Sequence, residues 1–182
     1  MEKNMSSGFR SKADLITAIF NRYRHSMQQV AYKILKDTQF AEDTVSEAMI
    51  KIIRNVELIN DIDSKGCANF VYTITKNTAL DLYRKRQSEN KKCIADYDVE
   101  KVNDLEEAIN CDVFESAYGF GEKMSRYINE LAPIDIDIIG LKYGDGFTYR
   151  EIGLILEMNE DAVRKRAFRA REKLEIMIRE GV

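Results

Sequence analysis

Six cations fall within ten residues near the end of the chain, in the stretch "AVRKRAFRAREKL": Arg164, Lys165, Arg166, Arg169, Arg171 and Lys173. Guanidinium and ammonium groups at such density suit phosphate oxygens, and a guanidinium fork also matches the edge of guanine. Their spacing decides whether they can act together. At about 100° per residue on a helix, Val163, Ala167, Ala170 and Leu174 fall on one side. Ala162, Lys165 and Arg169 point the other way, flanked by Arg164 and Arg166. A helix built so can lie close on a neighbour through its small residues and present cations outward. Glu172 and Glu175 are too few to neutralise the row one for one. The plain alternative is a solvated charged helix.

The residues before it set the positioning device. Thr148 and Glu151 form a capping-box pattern, and Ile152, Ile155 and Leu156 give the following helix an apolar side. "EMNE" then turns the chain, with Asn159 as N-cap and Glu160 and Asp161 beside the positive end of the next helix dipole. Two helices, a tight turn and an outward basic row make a helix-turn-helix, with the second helix sized for a major groove.

A second chemistry-bearing segment is "ANFVYTITKNTALDLYRKR". A helical wheel puts Phe70, Ile74, Asn77, Thr78 and Asp81 on one side. Asn69, Tyr72, Thr73, Lys76, Leu80 and Tyr83 occupy the other, beside Arg84, Lys85 and Arg86. Rings and cations together are what unstacked single-stranded DNA requires. Asn77 and Asp81 sit among apolar residues, where an unsatisfied polar group is costly. They form either a core network that also positions Arg84 or, for Asn77, a contact to a base.

Catalytic and metal chemistry finds no support in the residue pattern. His25 is the single histidine and reads as structural; Cys67, Cys93 and Cys111 form no CxxC pair; the carboxylates follow no metal-ligand spacing; no GxxxxGK[ST] sequence occurs. We expect no enzyme activity, cofactor or metal.

The elements that must carry these segments are helical. The 182 residues hold 28 Lys+Arg against 31 Asp+Glu, a net charge of -3, and one proline, Pro133. Apolar residues recur three or four apart over Leu15 to Leu35, Ala41 to Val56 and Cys67 to Gln87, with "KDTQF" breaking the first from the second. Residues 96 to 122 are mostly acidic, from Asp96 and Asp98 through Glu106 and Glu107 to Glu115, with an expected short helix around Asp104 to Ile109. The expected fold is all-α: a helical domain over 10–90, an acidic flexible linker over 91–121 and a helix-turn-helix domain over 122–182. No apolar run reaches the length of a membrane span and no secretory signal is evident, so membrane insertion is not expected and a cytoplasmic location is.

"AEDTVSEAMIKII" followed by "ANFVYTITKNTALDLYRKR" resembles the promoter-melting domain of sigma-70-type initiation factors, of the small extracytoplasmic-function branch. "INELAPIDIDIIGLKYGDGFTYREIGLILEMNEDAVRKRAFRAREKL" is similar to that family's domain for the upstream promoter element. The resemblance implies a partnership with core RNA polymerase, at its clamp and flap regions, with promoter DNA, and in many members with an anti-sigma factor. It implies polymerase docking by Ala41, Glu42, Asp43, Thr44, Glu47, Ile50 and Lys51. Capture of flipped bases of the −10 element falls to the loop Asn60 to Gly66 and to Asn69, Tyr72, Thr73, Lys76, Asn77, Tyr83 and Arg84. Reading of the −35 element falls to Glu160, Asp161, Ala162, Arg164, Lys165, Arg166 and Arg169, and the linker would thread polymerase channels. Departures from the family pattern are Phe70 for tryptophan, Ser46 for glutamine, Pro133 displaced by one, Ile136 for arginine, Gly153 for alanine and Glu157 for the turn glycine. Gly153 is expected to weaken its helix by up to about 1 kcal/mol against alanine. Competing readings are a stand-alone helix-turn-helix regulator of duplex DNA and, more remotely, a nuclease.

Overall fold

The computed structural model describes residues 11–91 and 122–180. Apart from Lys91, which is helical, the expected linker, its short helix and two cysteines, Cys93 and Cys111, lie outside them. The fold is all-α, with no strand among the described residues. The chain divides into two compact units, Met1–Tyr97 and Asp98–Val182.

The first unit is a bundle of three mutually packed helices: α1 (Lys12–Leu35), α2 (Thr38–Arg54) and α3 (Lys65–Lys91). Ser11 caps α1 by accepting from the Asp14 amide, and Lys36 ends it in a left-handed conformation with φ 54°. "KDTQF" breaks the helix as expected, but within that stretch Asp37 already caps the next one. Its carboxylate accepts from the Phe40 amide at 3.1 Å, so Thr38 to Phe40 are helical. Ile19, Met27, Ala31 and Ile34 of α1 and Val45, Ala48 and Ile52 of α2 are buried, at the three- and four-residue spacing that one apolar face demands. Phe70 is also fully buried, in the place where the family pattern has tryptophan.

α3 departs from the two-sided wheel. Between Cys67 and Leu80 it is buried around nearly its whole circumference, and Asn69, Thr73, Lys76 and Leu80, expected to point outward, are all buried. Asp81, expected on the apolar side, is exposed. The reason is compositional. Threonines can line a buried helix because their hydroxyls bond back to the preceding turn, as Thr75 does to the Val71 carbonyl at 2.7 Å and Thr78 to that of Ile74 at 2.8 Å. A wheel that scores threonine as polar cannot see such a helix.

The second unit comprises α4 (Glu122–Asn129), α5 (Pro133–Ile139), a π-helical turn (Gly140–Gly144), α6 (Tyr149–Ile155) and α7 (Glu160–Glu180). Pro133 is the first residue of α5, where its fixed φ suits a helix start and no amide is needed. Ile136 joins Ile128, Leu131, Ile139 and Ala170 in a core cluster against which Met124, Leu174 and Met177 pack. An arginine at 136 would be buried in that cluster.

Candidate nucleic-acid interface

The helix-turn-helix is assembled by local chemistry. Thr148 accepts from the Glu151 amide at 3.2 Å while the Glu151 carboxylate accepts from the Thr148 amide at 2.7 Å, a complete capping box at the start of α6. Asn159 caps α7 through a 2.8 Å bond from the Asp161 amide. Between them Glu157 takes a φ of 53°, the left-handed conformation that the turn requires and that a glycine would adopt without strain.

Gly153 has a different role from the one its helix propensity suggests. A Cβ there would stand 2.7 Å from the Met158 carbonyl oxygen, and the Met158 amide bonds the Gly153 carbonyl at 2.8 Å. The turn folds back onto the glycine's own surface, so alanine would push the backbone apart. The expected cost of glycine is thereby reversed: here it permits the close approach of turn and helix.

α7 presents the two sides anticipated. Val163, Ala167 and Ala170 are buried; Ala162, Lys165 and Arg169 are exposed. The flanking cations differ from one another. Arg164 pairs with Glu160 at 2.7 Å, and Arg171 with Glu175 at 3.2 Å. Arg166 reaches across to Asp135 of α5, at 2.7 Å with both groups partly buried, and Lys173 bonds the Glu130 carbonyl. No ion pair with another described residue engages Lys165 or Arg169, which project from one face a helical turn apart. Cations expected to act as one row thus divide three ways: Lys165 and Arg169 face solvent without an ion pair among the described residues, Arg164 and Arg171 pair within α7, and Arg166 and Lys173 bind α7 to its own unit. Asp135 and Glu130 lie on other elements, so the wheel of one helix could not reveal these ties.

In the first unit the expected contact residues are more dispersed. On α2, Glu42, Asp43, Glu47 and Ile50 are exposed, with Ile53 beside them; Lys51 is half-buried. Ala41 and Thr44 are buried, the Thr44 hydroxyl bonding the Phe40 carbonyl at 2.8 Å, so they hold the helix in the bundle. Ser46, in the place of the family's glutamine, is exposed on the same face. On α3, Tyr72, Asn77 and Tyr83 are half-buried, and Arg84 is exposed and paired with Asp81 at 3.0 Å. The Lys76 ammonium stands 5.9 Å from the centre of the Tyr72 ring, though the residue is only 1% exposed. Arg86 leaves the basic patch to stack on Phe40 of α2, 3.7 Å from the ring centre, a contact between distant residues that local pattern does not signal.

The loop before α3 is shorter than expected, because Lys65 and Gly66 already belong to the helix. Ser64 caps it, accepting from the Cys67 amide at 3.1 Å, and the Asp61 carboxylate accepts from the Asp63 amide at 2.9 Å. The Tyr23 hydroxyl donates to the Ile62 carbonyl at 2.5 Å, and Arg22 pairs with Asp63 at 2.9 Å. Burial, reinforced by the neighbouring Cys67 thiol, pushes the Tyr23 phenol up to about 12. Burial likewise raises the Cys67 thiol to about 11, partly offset by the neighbouring Tyr23 hydroxyl. Cys67 is thus held as an inert thiol at neutral pH. His25 is exposed on α1, its ring Nε2 3.1 Å from the Gln29 amide nitrogen.

The family model of sigma-70 region 2 matches residues 19–89, and that of sigma-70 region 4 matches residues 121–174, together well over half of the chain. The chain belongs to the sigma-70 family. It is a sigma factor of the extracytoplasmic-function type, a transcription initiation factor of a non-catalytic class that binds core RNA polymerase and promoter DNA. Among known proteins it is similar to the ECF RNA polymerase sigma factor SigW of Bacillus subtilis (strain 168), 24% identical over 184 residues covering 99% of this chain and 97% of SigW. Among solved structures it matches a chain in the co-crystal structure of the sigma factor RpoE with the anti-sigma factor NepR from Bartonella quintana. That match is 17% identical, covers 90% of this chain and 96% of the other, and has a TM-score of 0.43. Among the described residues of this sigma factor no helix is long and apolar enough to cross a membrane, and no cluster of metal-ligating side chains occurs.

Proposed function

We propose that this sigma factor reads the −35 element with α7, captures flipped bases of the −10 element with the Asn60–Ser64 loop and the adjoining rim of α3, and docks on the polymerase clamp through α2. The observation that carries this reading is the pair Lys165 and Arg169, exposed, without an ion-pair partner among the described residues, and set opposite a small-residue face in a capped helix-turn-helix. That arrangement leaves two cations free to meet phosphate oxygens or guanine edges while the helix lies close on its partner. Glu160, Asp161 and Ala162 lie at the start of α7, the end that enters a groove first. Arg164 adds a cation that must exchange Glu160 for DNA.

In the first unit, Tyr72, Asn77, Tyr83 and Arg84 supply rings, an amide and a guanidinium at the accessible edge of α3. Asn69, Thr73 and Lys76 set the position of that edge from inside. Glu42, Asp43 and Glu47 with Ile50, which is 51% exposed, give α2 an acidic face with an apolar centre, suited to a basic and apolar partner helix. Melting would draw on differential binding, the stacked duplex being exchanged for bases held on protein. The chain would act in the cytoplasm, where polymerase and promoter are found.

Run-off transcription with core polymerase on a genomic fragment library tests the reading. Start sites that depend on this chain are expected, with two sequence elements upstream of each. Duplex binding without any such start site would favour the stand-alone regulator instead.

A further inference from the structure

A receptor for a single unstacked base must be rigid before the base arrives, because ordering a loop on binding consumes affinity and blurs selection. Short exposed loops are ordinarily the most mobile parts of a helical bundle. The Asn60–Ser64 segment has Asn60, Asp61 and Asp63 exposed, yet it is fastened on several sides. From within, Asp61 accepts from the Asp63 amide at 2.9 Å, and the Ser64 hydroxyl donates to the Asp61 carbonyl at 2.6 Å. At its start Ile59 is buried.

The remaining ties come from α1, some forty residues earlier in the chain. The Tyr23 hydroxyl is bonded to the Ile62 carbonyl at the centre of the loop, and Arg22 is paired with Asp63, the next residue. Further along, Lys12 pairs with Glu57 at 3.1 Å, just before the loop begins. Tyr23 is partly buried. One phenol therefore joins α1 to the centre of the loop. A tyrosine needed only for packing would not have to place its hydroxyl on a loop carbonyl, since its ring alone fills the space.

We infer that Tyr23, assisted by Arg22, is a positioning residue that holds the Asn60–Ser64 loop as a preformed receptor and thereby sets the base preference at one position of the melted −10 element. The inference rests on the proposed role of that loop. Tyr23 itself touches no DNA: it acts through the Ile62 carbonyl, and Arg22 through the Asp63 carboxylate.

The test uses the full chain with core polymerase and forked templates whose single-stranded −10 segment carries each of the four bases in turn. Wild type, Tyr23→Phe and Arg22→Gln are compared at a temperature where melting curves show all of them folded. Loss of one hydrogen bond of ordinary strength should lower the discrimination between the best and worst base by about fivefold to tenfold in Tyr23→Phe. A smaller change in the same direction is expected for Arg22→Gln, with polymerase assembly and binding to −35 duplex unchanged. A uniform loss over all four bases, or none, would overturn the inference and leave the loop's role standing. A wild-type protein with no base preference at any −10 position would overturn both.

Discussion

α7 and α3, the two helices proposed to face DNA, differ in how far a helical wheel describes them. α7 is half in and half out: its small residues are buried and Lys165 and Arg169 are exposed, as a wheel anticipates. α3 is enclosed from Cys67 to Leu80, and residues a wheel sends outward, Lys76 above all, lie inside. The contrast teaches that polarity marks the outer face of a helix only where the helix has an outer face. Where threonines can satisfy their hydroxyls on their own backbone, a polar-looking segment can serve as a central helix.

Reversing charge at Lys76 strains that contrast most. Lys76→Glu places a carboxylate in buried surroundings arranged for a cation, and should lower the stability of the first unit by about 3–5 kcal/mol in urea denaturation. An unchanged midpoint with weakened melted-strand binding would put Lys76 back on the surface. Next comes the exposed pair on α7. Lys165→Ala combined with Arg169→Ala should weaken −35 duplex binding by about a hundredfold at constant salt, as for two good base or phosphate contacts. Polymerase affinity should not move; equal loss of both would mean that this face serves another purpose.

Gly153→Ala separates helix propensity from tertiary approach. Propensity alone predicts a gain of up to about 1 kcal/mol; the 2.7 Å approach to the Met158 carbonyl predicts a loss of about 1–3 kcal/mol, as for overpacking elsewhere. Calorimetry of the variant decides by sign. The smallest effect belongs to Arg166→Ala. Losing the partly exposed pair with Asp135 should cost about 1 kcal/mol of stability in the second unit. Duplex affinity should fall less than it does for Lys165→Ala. A larger loss of DNA binding than of stability would show Arg166 exchanging Asp135 for phosphate.

Local chemistry was legible where partners are close along the chain. The Thr148–Glu151 capping box, the Asn159 cap, the turn between the two helices and the inner face of α7 all depend on residues within about one or two helical turns of each other. The boundaries were less so: Asp37 starts α2 earlier than the apolar pattern does, and Lys65 and Gly66 extend α3 into what reads as loop. The site residues divide in the same way. Lys165 and Arg169, proposed as DNA contacts, are exposed where the spacing expects them. The diversion of Arg166 to Asp135, of Arg86 to Phe40 and of Tyr23 to Ile62 left no trace in spacing, because each joins elements brought together only by folding.

From residue order alone come the all-helical character, the helix-turn-helix and the identity of the cations that could meet DNA, since periodicity and capping act within a few residues. Tertiary packing alone decides which of those cations stay available, which polar side of α3 is enclosed, and how the loop before it is fastened. Where the partner lies on another element, an ion pair or a stacked ring removes a charge from service only once folding has brought the two together, and burial is a property of all the neighbours together.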